Sequence, residues 1–329
     1  MKRTLHLAAV SLAALLSCAQ DAASAAAPLP WPLRAPIVVM NTIATLQFYG
    51  GKPGFHHGVD LKAPAGTSLY APVSGGVDVG YYYPRYKSSY TFRVAIDADD
   101  SYRWEFHHID PASVPKGIMA LAVSHGRVEA GTLLGSIFDT SMIPQLGIPP
   151  HVHVELLDPL GVRHDPLQRF PSLPHAPTPE IRAVYLVGSD NRAVAGFSGS
   201  MRQESLPAGH YDLVVDGLET RSPGTNGDAP YGIEVRAAAR VIGSVRFDKL
   251  PDADYLKGVS DVYRLAPFTG LDGKPVANQV DTNLPRRFLF HFPLDTAVFG
   301  GAETIFVEVH VYNLAGDESL APLRLTITP

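Results

Sequence analysis

Apolar and polar positions alternate with a period of two along several short runs, and Gly or Pro interrupts each run before it can lengthen. In His151-Val-His-Val-Glu-Leu156 an extended backbone sends the two valines and the leucine to one side, and His151, His153 and Glu155 to the other. Ile305-Phe-Val-Glu-Val-His-Val-Tyr312 alternates in the same way. The pattern predicts strands at Ser68–Val73, Phe92–Ile96, Tyr102–Ile109 and His151–Leu157 in the first half of the chain. A second run follows at Ile181–Val187, Tyr211–Val215, Gly232–Val241, Phe288–Phe292, Thr304–Tyr312 and Leu323–Thr328. Between the two runs, Pro171-Ser-Leu-Pro-His-Ala-Pro-Thr-Pro179 leaves no room for regular structure and reads as a linker. The expected organisation is an Ala/Pro-rich lead-in at 26–39, a β domain at 40–172, a linker at 173–180 and an Ig-like β-sandwich at 181–329.

The first 25 residues read as an export leader. Lys2 and Arg3 precede an apolar stretch from Leu5 to Leu16, too short for a comfortable membrane span, and small residues follow. Two processing sites compete. Ala23-Ser24-Ala25 fits a small-x-small cleavage site that releases a soluble protein. Leu15-Leu16-Ser17-Cys18 resembles a lipobox, which would put a lipid anchor on Cys18. Either route implies export to the periplasm, the outer membrane or the exterior of a bacterium.

Composition narrows the picture. Among 329 residues, 29 glycines and 29 prolines fit many turns and exclude a helical bundle, and the single cysteine excludes an intramolecular disulfide framework. Lys+Arg 27 against Asp+Glu 32 gives a net charge of −5, which argues against a nucleic-acid binder. Removing residues 1–17 takes away two cations and no acid, deepening the charge to −7. Any affinity for the anionic cell wall must then come from specific contacts.

The histidines are the candidate chemistry. His56 and Asp60 stand four apart in Phe55-His-His-Gly-Val-Asp60, where Gly58, Val59 and Pro64 disfavour a helix, and an extended strand entering a turn keeps them on one face. His151 and His153 share a strand face. In Tyr102-Arg-Trp-Glu-Phe-His-His-Ile109, strict alternation sends His108 with the aromatic residues and His107 with the charges, making His108 the better chemical candidate. Two imidazoles and a carboxylate suit zinc with an open fourth position, and uncoordinated histidines nearby can move a proton or stabilise an oxyanion. His210, His291 and His310 are dispersed among strands and read as structural, and His125 as a loop residue.

Three blocks resemble the lysostaphin/LytM-type zinc metalloendopeptidases, which hydrolyse peptide cross-links in bacterial peptidoglycan. They are His56-x-Gly58-x-Asp60 with its Ala63-Pro-Ala-Gly-Thr-Ser-Leu-Tyr70-Ala-Pro continuation, Phe106-His-His108-Ile109, and Pro150-His-Val-His-Val-Glu155. Val128-Glu-Ala-Gly-Thr-Leu-Leu-Gly135 adds a fourth match. The resemblance covers about residues 40–172. It implies a mostly antiparallel sheet with a groove, one Zn2+ ion held by His56, Asp60 and His153, and two unliganded catalytic histidines, His108 and His151. His57 breaks the family spacing and is not implicated. Peptidoglycan stem peptides are the implied partner. The loop at 139–150 and the stretch from Gly117 to His125 depart from the family pattern and would border the groove. A catalytically silent peptidoglycan-binding or hydrolase-regulating member is the alternative, though such relatives typically lack a ligand and this chain lacks none; a zinc protease acting on proteins is another. For the second domain the open roles are wall binding, docking of a protein partner, positioning of the groove, or stabilisation alone.

Overall fold

In the His151–Leu157 strand, Val152, Val154 and Leu156 turn inward as the alternation predicts, and join Trp104, Phe106, Val94, Ile96, Val59 and Leu61 in one core. Each such side chain, fully removed from water, contributes about 1.5–3 kcal/mol. The structure is a computed structural model that describes residues 27–83, 87–173, 177–220, 227–281, 284–299 and 304–328. The expected leader, with Cys18 and both candidate processing sites, lies outside the described residues. No helix among them is long and apolar enough to cross a membrane.

The strands over this core form an antiparallel sheet in the spatial order Val38–Asn41, Val59–Lys62, His151–Leu157, Arg103–His107, Phe92–Ala98, Gly75–Tyr81, Arg127–Val128, and Arg163–His164 adds to the far end of the third. Its other face carries the polar half of each alternating strand. Asn41, Asp60, His153, His107 and Arg93 stand in register across five adjacent strands, so one transverse row holds two of the candidate residues, Asp60 and His153, side by side.

The second half of the chain builds two facing sheets. One has the order Ala193–Phe197, Thr178–Val187, His210–Thr220, Leu289–Asp295; the other Arg202–Pro207, Glu318–Thr328, Thr304–Tyr312, Gly232–Ala237, Arg240–Arg246. Leu213, Val215 and Phe290 from the first sheet meet Val307, Val309 and Leu323 from the second in a common core. All these pairings are antiparallel except Arg202–Pro207 with Glu318–Thr328. The chain as a whole is therefore all-β in its organisation.

The two halves are packed together. A hairpin of Leu46–Tyr49 and Lys52–Phe55 leaves the first domain and puts Leu46 and Phe55, with Ile43 and Ala44, into the core of the second. Backbone bonds cross the same boundary from Phe55 N to Tyr255 O and from Asp165 N to Asp248 O, and Tyr263 Oη donates to Ala44 O.

Several elements differ from the sequence expectation. Gly232–Val241 is not one strand: it breaks at Ala238 and Ala239, both at positive φ, into a two-residue hairpin. Thr178–Val187 starts inside the stretch expected as linker, because Thr178, Pro179 and Glu180 pair with Thr220, Glu219 and Leu218. The stretch after Pro115 forms a helix, Lys116–Val123, which buries Ile118; His125 follows it, exposed and at positive φ.

Candidate metal centre

The chain bends between the Lys52–Phe55 and Val59–Lys62 strands at His56, His57 and Gly58, while both strands stay paired with the preceding segment, so His56 leaves one strand and Asp60 sits inside the next. The expected single strand is thus two, with a bend between them. Gly58 is required at that bend: a Cβ there would lie 2.3 Å from Val154 O and 2.9 Å from the His153 ring. His56 Nδ1 bonds Thr42 O at 2.9 Å, which fixes the ring and leaves Nε2 as its lone-pair nitrogen.

His56 Nε2, His153 Nδ1 and Asp60 Oδ1 converge. They stand 3.0 Å (His56–His153), 2.8 Å (His153–Asp60) and 3.2 Å (His56–Asp60) apart, with all three residues buried. Two imidazole nitrogens and one carboxylate oxygen, crowded this closely at the wall of a cavity, are a donor set that fits a divalent cation with an open position. Burial alone would raise the Asp60 carboxyl, but His56, His151 and the hydrogen bond from His153 hold it well below the usual carboxylate range. Burial likewise pushes His153 down, and its bonds to Asp60 and Glu155 overcome this and lift it to about 9.

His108 and His151 lie beside this set, their ring centroids 4.8 Å apart. His151 Nδ1 bonds Pro149 O at 2.8 Å and its Nε2 stands 3.8 Å from Asp60 Oδ1. His108 Nδ1 bonds Tyr90 O at 2.7 Å, and its ring stacks on Tyr90 with centroids 3.9 Å apart. Both rings are thereby fixed with Nδ1–H donated to a carbonyl and Nε2 as the lone-pair nitrogen. Burial lowers both pKa values; His151 and His153 push His108 down further, while Asp60 partly restores His151.

Strand alternation put His108 on the aromatic side, and there the structure corrects the sequence reading. Trp104 and Phe106 do form the core face, but the Arg103–His107 strand ends at His107. His108 has φ of 65°, a left-handed conformation that turns its ring back toward the cavity with His151. It reaches the site by leaving the strand.

Beneath the ligand set lies a second polar network. Glu155, fully buried, accepts from Arg163 Nε at 2.6 Å and from His57 Nδ1 at 2.8 Å, and His107 Nε2 stands 3.2 Å from both Glu155 and Glu105. His57 is not in the ligand set with Asp60, and its ring packs against Tyr82 and Tyr255. The three candidate ligands, with His57, His107, His108 and His151, line a cavity of about 720 Å³, closed on one side by Gly147 and Ile148 of the loop at 139–150 and on another by Val280, Asp281 and Arg286 of the second domain. Asn41, Tyr90, Arg163 and Arg286 carry no sequence signal for this role, since none belongs to a spaced motif. His210, His291 and His310 join no candidate metal group among the described residues.

Residues 54–166 match the family model of Peptidase family M23. This stretch is an M23 peptidase domain. It contains the whole converging set, from His56 and Asp60 through His108 to His151 and His153. A crystal structure from Pseudomonas aeruginosa, described as a "putative peptidase M23", aligns at 23% identity over 43% of this chain and 48% of its own, with a TM-score of 0.28. The aligned region thus spans about half the length of that solved protein. No curated protein matches the chain. Outside the matched residues, the cavity wall is completed by Asn41 and its neighbours Met40, Gln47, Phe48 and Tyr49 on one side and by Val280, Asp281 and Arg286 of the second half on the other.

Proposed function

We propose that the protein is a zinc metalloendopeptidase that hydrolyses peptide cross-links of peptidoglycan, exported through its leader to the periplasm or outer membrane, and lipid-anchored if Cys18 is acylated. The observation that carries the reading is the convergence of His56 Nε2, Asp60 Oδ1 and His153 Nδ1 within 3.2 Å of one another, next to two histidines that are not part of that set. These three residues would hold the ion. Bound zinc supplies Lewis acidity, polarising a carbonyl and lowering the pKa of water to about 7.

The chain's own groups account for the proton. His151 Nε2 is a neutral base at neutral pH, because burial disfavours its charged form. It takes the proton of the attacking water and returns it to the leaving amine. His108 stays neutral, since a second positive charge 4.8 Å away is disfavoured, and its Nε2 accepts a hydrogen bond that orients the water. Tyr90 O and Pro149 O hold the two rings so that the lone pairs are already placed. The half-open cavity, with Tyr82, Tyr83 and Phe48 on its walls, offers apolar surface to a peptide chain.

The test is digestion of purified peptidoglycan by the signal-free protein with zinc, read by muropeptide mass spectrometry beside Asp60→Ala. Loss of cross-linked dimers with the parent alone supports the reading and names the bond. Unchanged muropeptides from a zinc-loaded protein would replace it with a different peptide substrate or a regulatory role.

A further inference from the structure

A chain of buried hydrogen bonds begins in the second domain and ends on the carboxylate of the ligand set. Arg286 Nη1 donates to Asp228 Oδ1 at 2.8 Å and to Gly227 O at 3.1 Å, and its Nη2 donates to Asn41 Oδ1 at 2.5 Å. Asn41 Nδ2 in turn donates to Asp60 Oδ2 at 2.5 Å. Asp228, Arg286, Asn41 and Asp60 are all buried.

The direction of this chain is fixed by chemistry. A guanidinium only donates, so the oxygen of Asn41 must face Arg286, and its amide hydrogens must face Asp60. Asp60 then has one oxygen occupied. Its Oδ2 is held by Asn41 while Oδ1 alone points at His56 Nε2 and His153 Nδ1. Asn41 is also in register with Asp60 on the neighbouring strand, so its backbone sits at the edge of the same transverse row.

We propose that Arg286 is a positioning residue for the metal centre: through Asn41 it clamps Asp60 Oδ2, so that the carboxylate offers only Oδ1 to the ion. This inference rests on the reading that His56, Asp60 and His153 hold zinc. It gives the second domain a specific task, because the residue that orients a ligand comes from outside the M23 domain. Arginine suits the task where lysine does not. The planar fork reaches Asp228 and Asn41 at once in two directions, whereas an ammonium on a flexible stem is a single point of charge.

The experiment compares the full signal-free chain with Arg286→Lys and Asn41→Leu. Arg286→Lys keeps a cation beside Asp228 and removes the fork; Asn41→Leu keeps the volume and removes the amide. Zinc affinity is measured by competition with a chromophoric chelator, and kcat and KM on a cross-linked muropeptide, with thermal unfolding of the metal-free chains as the folding control. Zinc affinity should fall about 10–100-fold in both variants, with kcat reduced and KM little changed, as expected when an outer partner of a metal ligand is lost. If Asn41→Leu does not unfold cooperatively, Asn41→Ser, too short to reach Asp60, takes its place. Parental zinc affinity in both folded variants would overturn the clamp, even if their melting temperatures fall, because that is the signature of a purely structural contact. A parent chain that takes up no zinc would instead overturn the metal reading, and this inference with it.

Discussion

His153 lies directly across from Asp60 on the neighbouring strand, and its Nδ1 stands 2.8 Å from Asp60 Oδ1. Sheet register, rather than loop conformation, therefore sets the distance between two of the three candidate ligands. Such a pair is rigid: sliding one strand by a single residue would send His153 to the core side. His107 extends the same row on the next strand and Asn41 closes it at the edge.

Removing either member of this pair should abolish metal retention without unfolding the sheet. Asp60→Ala and His153→Ala are expected to lose bound zinc after dialysis and to lose activity by more than about 100-fold, beyond the 10–100-fold typical of changes outside the ligand shell. Elemental analysis together with far-UV circular dichroism checks both halves of the expectation. Stoichiometric zinc in a dialysed His153→Ala chain would remove this residue from the ligand set.

The pH dependence follows from His108 and His151, whose pKa values are both lowered by burial, His108 more strongly. Their neutral forms persist as the pH falls below the ordinary histidine value of about 6.5, so kcat should hold on the acid side until one ring protonates. The sign for stability is the same. An unfolded chain binds protons at these rings near pH 6.5 while the folded chain does not, so stability falls as the pH drops through that value and stops falling below the folded pKa. Urea unfolding of the full chain from pH 8 to 5, compared with His108→Ala, should show a smaller acid-side loss in the variant. Equal losses would mean that His108 is not held neutral.

How much of this was legible in the sequence depended on what local spacing can express. The spacing of His56 and Asp60, and of His151 and His153, is a local property of extended chain that made them candidates, while the family resemblance divided them into ligands and unliganded histidines; the structure brings these residues together. The face assignment of His108 failed, because strand alternation holds only while the strand lasts and this residue sits at φ of 65° just past its end. Asn41 and Arg286 were not legible at all: they are 245 positions apart, and only the packing of two domains brings them together. The expected strand at Gly232–Val241 hid a turn for a different reason. Alanine carries no turn signal, so a run of three alanines reads as continuous strand although Ala238 and Ala239 reverse the chain.

That hairpin is a place where stability can be gained. Ala238 has φ of 48° and Ala239 of 62°, a conformation that crowds a Cβ against the following carbonyl. Glycine relieves the crowding, while its extra freedom in the unfolded chain takes back part of the gain. Ala239→Gly should therefore stabilise the protein by about 0.5–1 kcal/mol, and pairing it with Ala238→Asn should add to this. Chemical denaturation measures the change, and activity should be unaffected because neither alanine lines the cavity of the candidate metal centre. A destabilised Ala239→Gly would show that the alanine backbone is not strained.

Gly58 is the opposite case, a position where the smallest addition should damage both fold and chemistry. An added Cβ would meet Val154 O at 2.3 Å and the His153 ring at 2.9 Å. The first is a backbone atom in a central strand, paired on both sides, so it cannot move away without disturbing the register that sets His153 against Asp60. The second is the ring of a candidate ligand, whose Nδ1 must stay within reach of both Asp60 and His56. Gly58→Ala is expected to cost about 1–3 kcal/mol of stability, as overpacking does in a close-packed interior, and also to weaken zinc binding in the fraction that folds. The glycine in the His-x-Gly-x-Asp spacing is then explained by close approach to the Val154 carbonyl and the ring of the candidate ligand His153 rather than by turn geometry, since its backbone is not at positive φ. Metal competition and denaturation on the same Gly58→Ala preparation separate the two effects. A variant that loses stability yet binds zinc as the parent does would show that the strand absorbs the clash and the His153 ring never feels it.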